Sequence, residues 1–319
     1  MVSGPGADGF RHEAAFYRDA AGYRSAVLAF VREGLHRAEA VLVAVPKPAA
    51  KLIRDGLDGH RVAVSYVDMT ELGRNPGRVI SAIWDFADRN AGRAVRFVSE
   101  LAWPGRSDAE IGEVAAHETM LNLAFAAGPV TLLCPYDTGL LAPGVIAGAG
   151  RTHPFLRTAS GVTASARFEP GPGRTGLSPL SAALPPPPAG ADRLDYARDL
   201  HAVRAFVSER AGWAGLSPDR TADLVLAVGE VAANTVRHAG ARGTLLVWTT
   251  ATEIICQASD HGQILDPLVG RRRPPETGGL GLWVVHQVCD LVELRAGPGG
   301  TVVRMHMLLD RYPAIGGQP

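Results

Sequence analysis

The chain has 319 residues, 46% of them hydrophobic, enough apolar material for two cores of ordinary domain size. Basic and acidic residues balance at 32 each, so no whole-chain field draws in nucleic acid or an anionic membrane. The opening MVSGPGADGFRHE lacks the apolar stretch of a signal peptide and no run reaches the ~18 apolar residues of a membrane span, while Cys134, Cys256 and Cys289, far apart in apolar stretches, read as reduced thiols of a cytoplasmic protein.

From about 10 to 158 the pattern alternates. Helical spacing predicts helices over 21–38, 47–57, 76–91 and 107–127. Between them, short solidly apolar runs predict strands over 40–46, 60–69, 94–101 and 129–137. Strands apolar on both faces and separated by helices imply a doubly wound parallel sheet covered on both sides. Ligands of such sheets sit at the carboxyl ends of the strands, which singles out Pro46, Asp68, Glu100, Trp103 and Cys134 to Asp137 as candidate lining residues. Glu113 and His117 form an i,i+4 pair, and His12, Glu118 and His153 are also available to a metal. No close Cys/His spacing supports one, so these are expected to be core or solvated side chains, and Cys134 an inert buried thiol.

Residues 159–191 change character. They are rich in Gly, Pro, Ser and Ala and include the run Pro185 to Pro188, so they read as an extended linker between domains. A second domain is expected over 192–310. It opens with helices over 192–212 and 217–240, continues with a strand hairpin over 243–250 and 253–260 and a Gly/Pro/Arg-rich loop, and closes with a helix over 280–292 and a strand over 299–309. Helices on one face of a mixed sheet make an α/β sandwich.

The helix over 217–240 carries Glu230, Asn234 and His238 at four-residue spacing, hence on one face. Alone, that stripe reads as a solvated face. Three further pieces follow: Asp260-His-Gly262 after an apolar strand, TGGLGL at 277–282 opening a helix, and GGTVVRM at 299–305. Bare amides at a glycine-lined helix mouth bind anions, and glycine permits close approach. No Walker P-loop is present. In this order the four pieces make residues 195–309 resemble the GHKL ATPases, the gyrase, Hsp90, histidine kinase and MutL group, and within it the anti-sigma-factor serine kinases.

The resemblance implies a Bergerat α/β sandwich binding ATP with Mg²⁺. Asn234 would be the Mg²⁺ ligand, Glu230 the catalytic base toward a partner's hydroxyl and Asp260 the acceptor of the adenine amine. Gly262 would face the base, Gly278, Gly279 and Gly281 the triphosphate, and Thr301 would support Asp260. Ile264 stands where the pattern usually has a second glycine, a departure that weakens the gyrase and Hsp90 readings more than the kinase reading. His238 and Arg237 are either capping groups or phosphate contacts. Residues 263–277 would form a lid, in which Arg271, Arg272 and Arg273 are either phosphate or partner contacts or a solvated loop. The implied partners are an anti-sigma-factor antagonist, a sigma factor or both, with pairing of two copies also possible. Two alternatives stay open: an ATP-gated binding module without catalysis, and an atypical histidine-kinase-like protein, although no dimerisation helices precede the domain.

HEAAFYRD, GLHRAEAVLVAVP, SELAWP, HETMLNLAF and LLCPYD together resemble the MEDS sensory domain over about 10–155. That resemblance implies a sensor for a small molecule whose chemistry it does not specify.

Overall fold

The computed structural model describes residues 9–57, 63–158, 160–170, 179–240, 242–274 and 279–310. The chain divides into two compact units, 1–177 and 178–319. Among the described residues no helix is long and apolar enough to cross a membrane.

The first unit holds strands β1 (Arg11–Tyr17), β2 (Ala40–Val45), β3 (Val64–Asp68), β4 (Val95–Ser99), β5 (Val130–Asp137), β6 (Phe155–Thr158) and β7 (Gly161–Ala164). Helices α1 (Ala20–His36), α2 (Lys47–Asp55), α3 (Met69–Leu72), α4 (Gly77–Arg89), α5 (Asp108–Ala124) and α6 (Pro143–Thr152) connect them. The strand order is β3-β2-β4-β5-β1-β6-β7, parallel throughout except for the β6–β7 pair. This is the doubly wound parallel sheet the apolar runs predict. Every residue of β2 and β4 is buried, as expected of strands covered on both faces. Helix starts follow local chemistry: Asp19 accepts from the Gly22 amide ahead of α1, and Ser107 with Glu110 forms a capping box at α5. Val27, Phe30 and Val31 of α1 pack on Val43, Val45, Val98 and Leu133, each contributing about 1.5–3 kcal/mol of burial.

β1 is a strand that periodicity does not predict. It lies inside the sheet, between β5 and β6, although it contains the fully buried His12 and Glu13. Glu13 accepts from Arg157 at 2.6 Å, and Arg157 also reaches Glu33 at 3.0 Å. Arg96, 2% exposed, pairs with Glu33 and Glu39 and lies over the Phe30 ring. Charges inside this sheet are therefore neutralised in an alternating chain of carboxylates and guanidiniums.

The second unit contains β8 (Asp192–Tyr196), α7 (Leu200–Ala214), α8 (Pro218–His238), β9 (Gly243–Thr249), β10 (Glu253–Asp260), α9 (Gly281–Val288), β11 (Leu291–Gly297) and β12 (Gly300–Leu308). Its sheet, in the order β11-β12-β10-β9-β8, is antiparallel at every pair rather than mixed. Helix α8 packs against both α7 and α9, and the three helices form one layer of the sandwich. Two elements differ from the sequence expectation. Residues 192–196, read as the start of a helix, form β8, and the helix starts after Asp199, whose carboxylate caps the His201 and Ala202 amides. The helix read over 280–292 stops at Val288, and β11 follows.

The described residues of the stretch read as a linker are structured at both ends. Gly161–Ala164 pairs with β6 in the first unit. In the second, Leu180 is buried and accepts from the Ala296 amide at 3.0 Å, and the Pro185 carbonyl accepts from Arg304 at 2.7 Å. Residues 171–178 lie outside the described residues. The Leu180–Pro187 segment and the strands together line a cleft of about 930 Å³.

On β12, His306 sits between two carboxylates, with Nδ1 3.1 Å from Glu253 and Nε2 3.0 Å from Glu293. Burial alone would lower its pKa; the hydrogen bonds and charges of Glu253 and Glu293 outweigh that and raise it to about 9. A base whose pKa is raised on folding stabilises the fold fully below its unfolded value, near 6.5, and that contribution fades as pH rises through about 9. Chemical denaturation of the full chain is expected to lose about 2–3 kcal/mol across this interval. His306→Gln should flatten the profile; an unchanged slope would show that the ion triad is not the source.

Candidate functional site in the second unit

Helix α8 starts at Pro218 behind Ser217 and buries Leu224, Ala227, Val228, Val231, Ala232 and Thr235. That burial turns Glu230 and Asn234, one turn apart, toward the start of α9. Gly281, the first residue of α9, is buried, and a Cβ there would come within 2.8 Å of Glu230 Oε2 and 3.3 Å of Asn234 Nδ2. Only a bare backbone lets the N-terminus of α9 approach these two side chains so closely. The helix end points its free amides and positive dipole end toward the same place.

Asp260 ends β10. Its Oδ2 accepts from Thr235 Oγ1 at 2.6 Å, and its Oδ1 accepts from the Gly262 amide at 2.8 Å. Tyr196 continues this chain by donating to Thr235 at 3.1 Å. Across the β10–β12 register Thr301 stands opposite Asp260, and its hydroxyl donates to the Gly262 carbonyl at 2.9 Å. A Cβ on Gly262 would lie 2.9 Å from Ala239 Cβ, so the turn is closely packed on the end of α8.

A cavity of about 260 Å³ brings Asn234, Asp260, Gly262, Gly279 and Thr301 together with apolar Val231, Ile264, Leu282 and Val303. Glu230 and Gly281 do not line it; they face each other beside it. Gly278 lies outside the described residues, as do 275–277 of the expected lid. His238 lines the cavity from the exposed end of α8. Arg237 is exposed and donates to Asn234 Oδ1 at 3.3 Å. Arg271 is 1% exposed, which removes it from the solvated-loop alternative, and Arg273 lies 5.6 Å from the Trp283 ring centroid. Thr235 and Tyr196, which orient Asp260, escaped the sequence reading. The only signal for Thr235 was its place next to Asn234.

The donor set is suited to a purine nucleotide with a hard cation. The carboxylate at the closed end can accept from an exocyclic amine, and apolar side chains can sandwich a ring. Asn234 offers a neutral amide oxygen of the kind Mg²⁺ takes alongside its waters. Gly281 lets the backbone at the mouth of α9 come up against Glu230 and Asn234.

The candidate residues at the strand ends of the first unit divide among different tasks. Glu100 is buried and accepts from Tyr23 at 2.7 Å and Tyr17 at 3.2 Å. Burial raises its pKa to about 7 against those two bonds, with the Asp137 charge adding to the rise. Asp68 instead caps α3 and pairs with Lys47, and Trp103 lies under Arg106.

A sandwich of three helices on an antiparallel sheet, with a cavity of about 260 Å³ between its second helix and the end of β10, is the architecture of a GHKL-type ATPase domain. Residues 195–307 match the family model of the histidine kinase-like ATPase domain, and residues 11–154 match that of MEDS, the methanogen/methylotroph DcmR sensory domain. The chain thus joins a MEDS domain to a histidine kinase-like ATPase domain. Among solved structures it is similar to the crystal structure of the RsbU and RsbW domains of Rv1364c from Mycobacterium tuberculosis, at 18% identity and a TM-score of 0.30. The match covers 41% of this chain and 35% of that one, so the chain spans about a third of the length of that relative. No curated protein matches the chain.

Proposed function

We propose that this chain is a cytoplasmic ATP-dependent serine/threonine protein kinase of the anti-sigma type, acting on an anti-sigma-factor antagonist and governed by its MEDS unit. The observation that carries this reading is the placement of the Glu230 carboxylate and the Asn234 amide, one turn apart on α8, against the bare N-terminus of α9 and next to the cavity that Asp260 closes.

Asp260, steadied by Thr235, would accept the adenine amine, with Gly262 and Thr301 completing that end of the cavity. Backbone amides at the mouth of α9, reached past Gly279 and Gly281, would hold phosphate oxygens. Asn234 would hold Mg²⁺, which when bound neutralises phosphate charge. Glu230 would take the proton from a serine or threonine hydroxyl of the partner. The hydroxyl oxygen then bonds to the γ-phosphorus as the bond to the ADP oxygen breaks.

The test is single-turnover transfer from γ-labelled ATP, using the full chain and a candidate anti-sigma-factor antagonist. Acid-stable phosphoserine or phosphothreonine on the antagonist is expected. Nucleotide binding without any transfer would leave only an ATP-gated docking module, and acid-labile phosphate on the chain itself would favour the histidine-kinase-like alternative. Asn234→Ala is expected to weaken Mg²⁺-dependent ATP binding at least about tenfold by calorimetry. Unchanged binding would remove Asn234 from the metal's coordination.

A further inference from the structure

Four buried side chains that no sequence motif links converge in the first unit. His12 comes from β1, Glu118 from α5, Cys134 from β5 and His153 from just after α6. Each is at most 2% exposed, and one ligand atom from each lies within 4.8 Å of the others. His12 Nε2 is 3.0 Å from Glu118 Oε2 and 3.4 Å from Cys134 Sγ. Glu118 Oε2 is 3.6 Å from Cys134 Sγ and 3.4 Å from His153 Nε2. Four ligands at ordinary zinc–nitrogen, zinc–oxygen and zinc–sulfur bond lengths sit about 3.3–3.7 Å apart at the corners of a tetrahedron. Of the six separations, three lie in that range, His12 to Glu118 is shorter at 3.0 Å, and the other two fall within 4.8 Å.

The surrounding hydrogen bonds fix how the ligands point. His153 Nδ1 is 2.8 Å from the Ala149 carbonyl, which can only accept, so Nδ1 carries the proton. Its buried Nε2 then turns inward, 3.4 Å from Glu118 Oε2. Asn122 donates its amide to the carbonyls of Thr152 and Glu118, which leaves its oxygen to accept from His12 Nδ1 at 3.2 Å. His12 Nε2 therefore also faces the centre, toward Glu118 Oε2 and Cys134 Sγ. The second carboxylate oxygen, Glu118 Oε1, takes the Tyr136 hydroxyl at 3.0 Å. Two neutral imidazoles and a carboxylate oxygen directed at one another in a buried space need a shared proton or a metal cation between them, and a divalent ion satisfies all of them at once. A carbonyl or amide behind each histidine is the usual outer support of metal-bound imidazole.

The geometry points to a closed transition-metal site in the MEDS unit, formed by His12, Glu118, Cys134 and His153 and suited to Zn²⁺ or a similar late first-row divalent ion. Two imidazoles, one thiolate and one carboxylate select this class over Mg²⁺ or Ca²⁺, which prefer oxygen. Binding joins β1, β5, α5 and the end of α6 at one point, and Cys134 binds as thiolate after releasing its proton to solvent. This inference stands apart from the kinase reading, and neither depends on the other.

The full chain, purified anaerobically and stripped with chelator, is to be titrated with Co²⁺ and then Zn²⁺. One equivalent of Co²⁺ is expected to bind with the visible bands of a tetrahedral ion and a thiolate-to-metal charge-transfer band, both displaced by Zn²⁺. Cys134→Ser should abolish the charge-transfer band and weaken Zn²⁺ binding at least about tenfold, while Cys256→Ser and Cys289→Ser leave both unchanged. A folded chain without stoichiometric uptake would overturn the proposal, as would a Cys134→Ser spectrum identical to the unmodified one. Should Cys134→Ser fail to fold, the charge-transfer band of the unmodified chain decides by its presence or absence.

Discussion

Glu230→Gln is expected to cut phosphoryl transfer by about 10²–10⁴-fold, the range for loss of a positioned general base. ATP affinity should stay within about threefold, because Glu230 does not line the cavity and glutamine keeps the shape that packs against Gly281. The decisive measurement is the pair of values, nucleotide dissociation constant and single-turnover rate, on the same preparation. A parallel fall in both would mean that Glu230 supports the site's architecture rather than the proton transfer. Full retention of transfer would assign the base elsewhere and leave Glu230 a packing partner of α9.

The second large effect is expected at the turn behind Asp260. Gly300 has φ of +115°, and a Cβ there would lie 2.0 Å from the Asp260 carbonyl oxygen. No side-chain rotation relieves a clash with backbone in a conformation that L-residues rarely adopt. Gly300→Ala is therefore expected to destabilise the second unit by about 3 kcal/mol or more, measured by denaturant titration. Such variants that still fold should bind ATP more weakly, because the turn that moves leads into Thr301 and abuts Asp260. Gly299→Ala provides the control: nothing lies within 4 Å of a Cβ there, so a change within about 0.5 kcal/mol is expected. Equal effects at the two positions would show that loss of chain flexibility, not the contact, dominates.

Much of this architecture can be read from local patterns. The solid apolar runs of β2, β4 and β5 mark interior strands, Ser107 and Asp19 mark helix starts through their capping chemistry, and Pro218 does so through its fixed φ at the first helical position. The ATPase site is legible for a related reason. Four-residue spacing puts Glu230 and Asn234 on one face of α8, while Asp260 and Thr301 join them only through the motif resemblance. β1 is harder to read because its burial is electrostatic. His12 and Glu13 interrupt the apolar pattern, and their partners Glu118 and Arg157 lie more than a hundred residues away. The four-residue cluster hides for the same reason, since its members have no shared spacing until the sheet closes. β8 was misread because DRLDY has a helix-like polar pattern; tertiary pairing with β9 overrides it.

The stretch ahead of β8 is anchored to the sheet of the second unit. Leu180 hangs from β11 through Ala296, and Pro185 is pinned to β12 through Arg304. β12 also carries Thr301. The segment from Leu180 to Pro185 is thus fastened to the sheet, and one of its two anchor strands, β12, also supplies Thr301 and Val303 to the cavity wall.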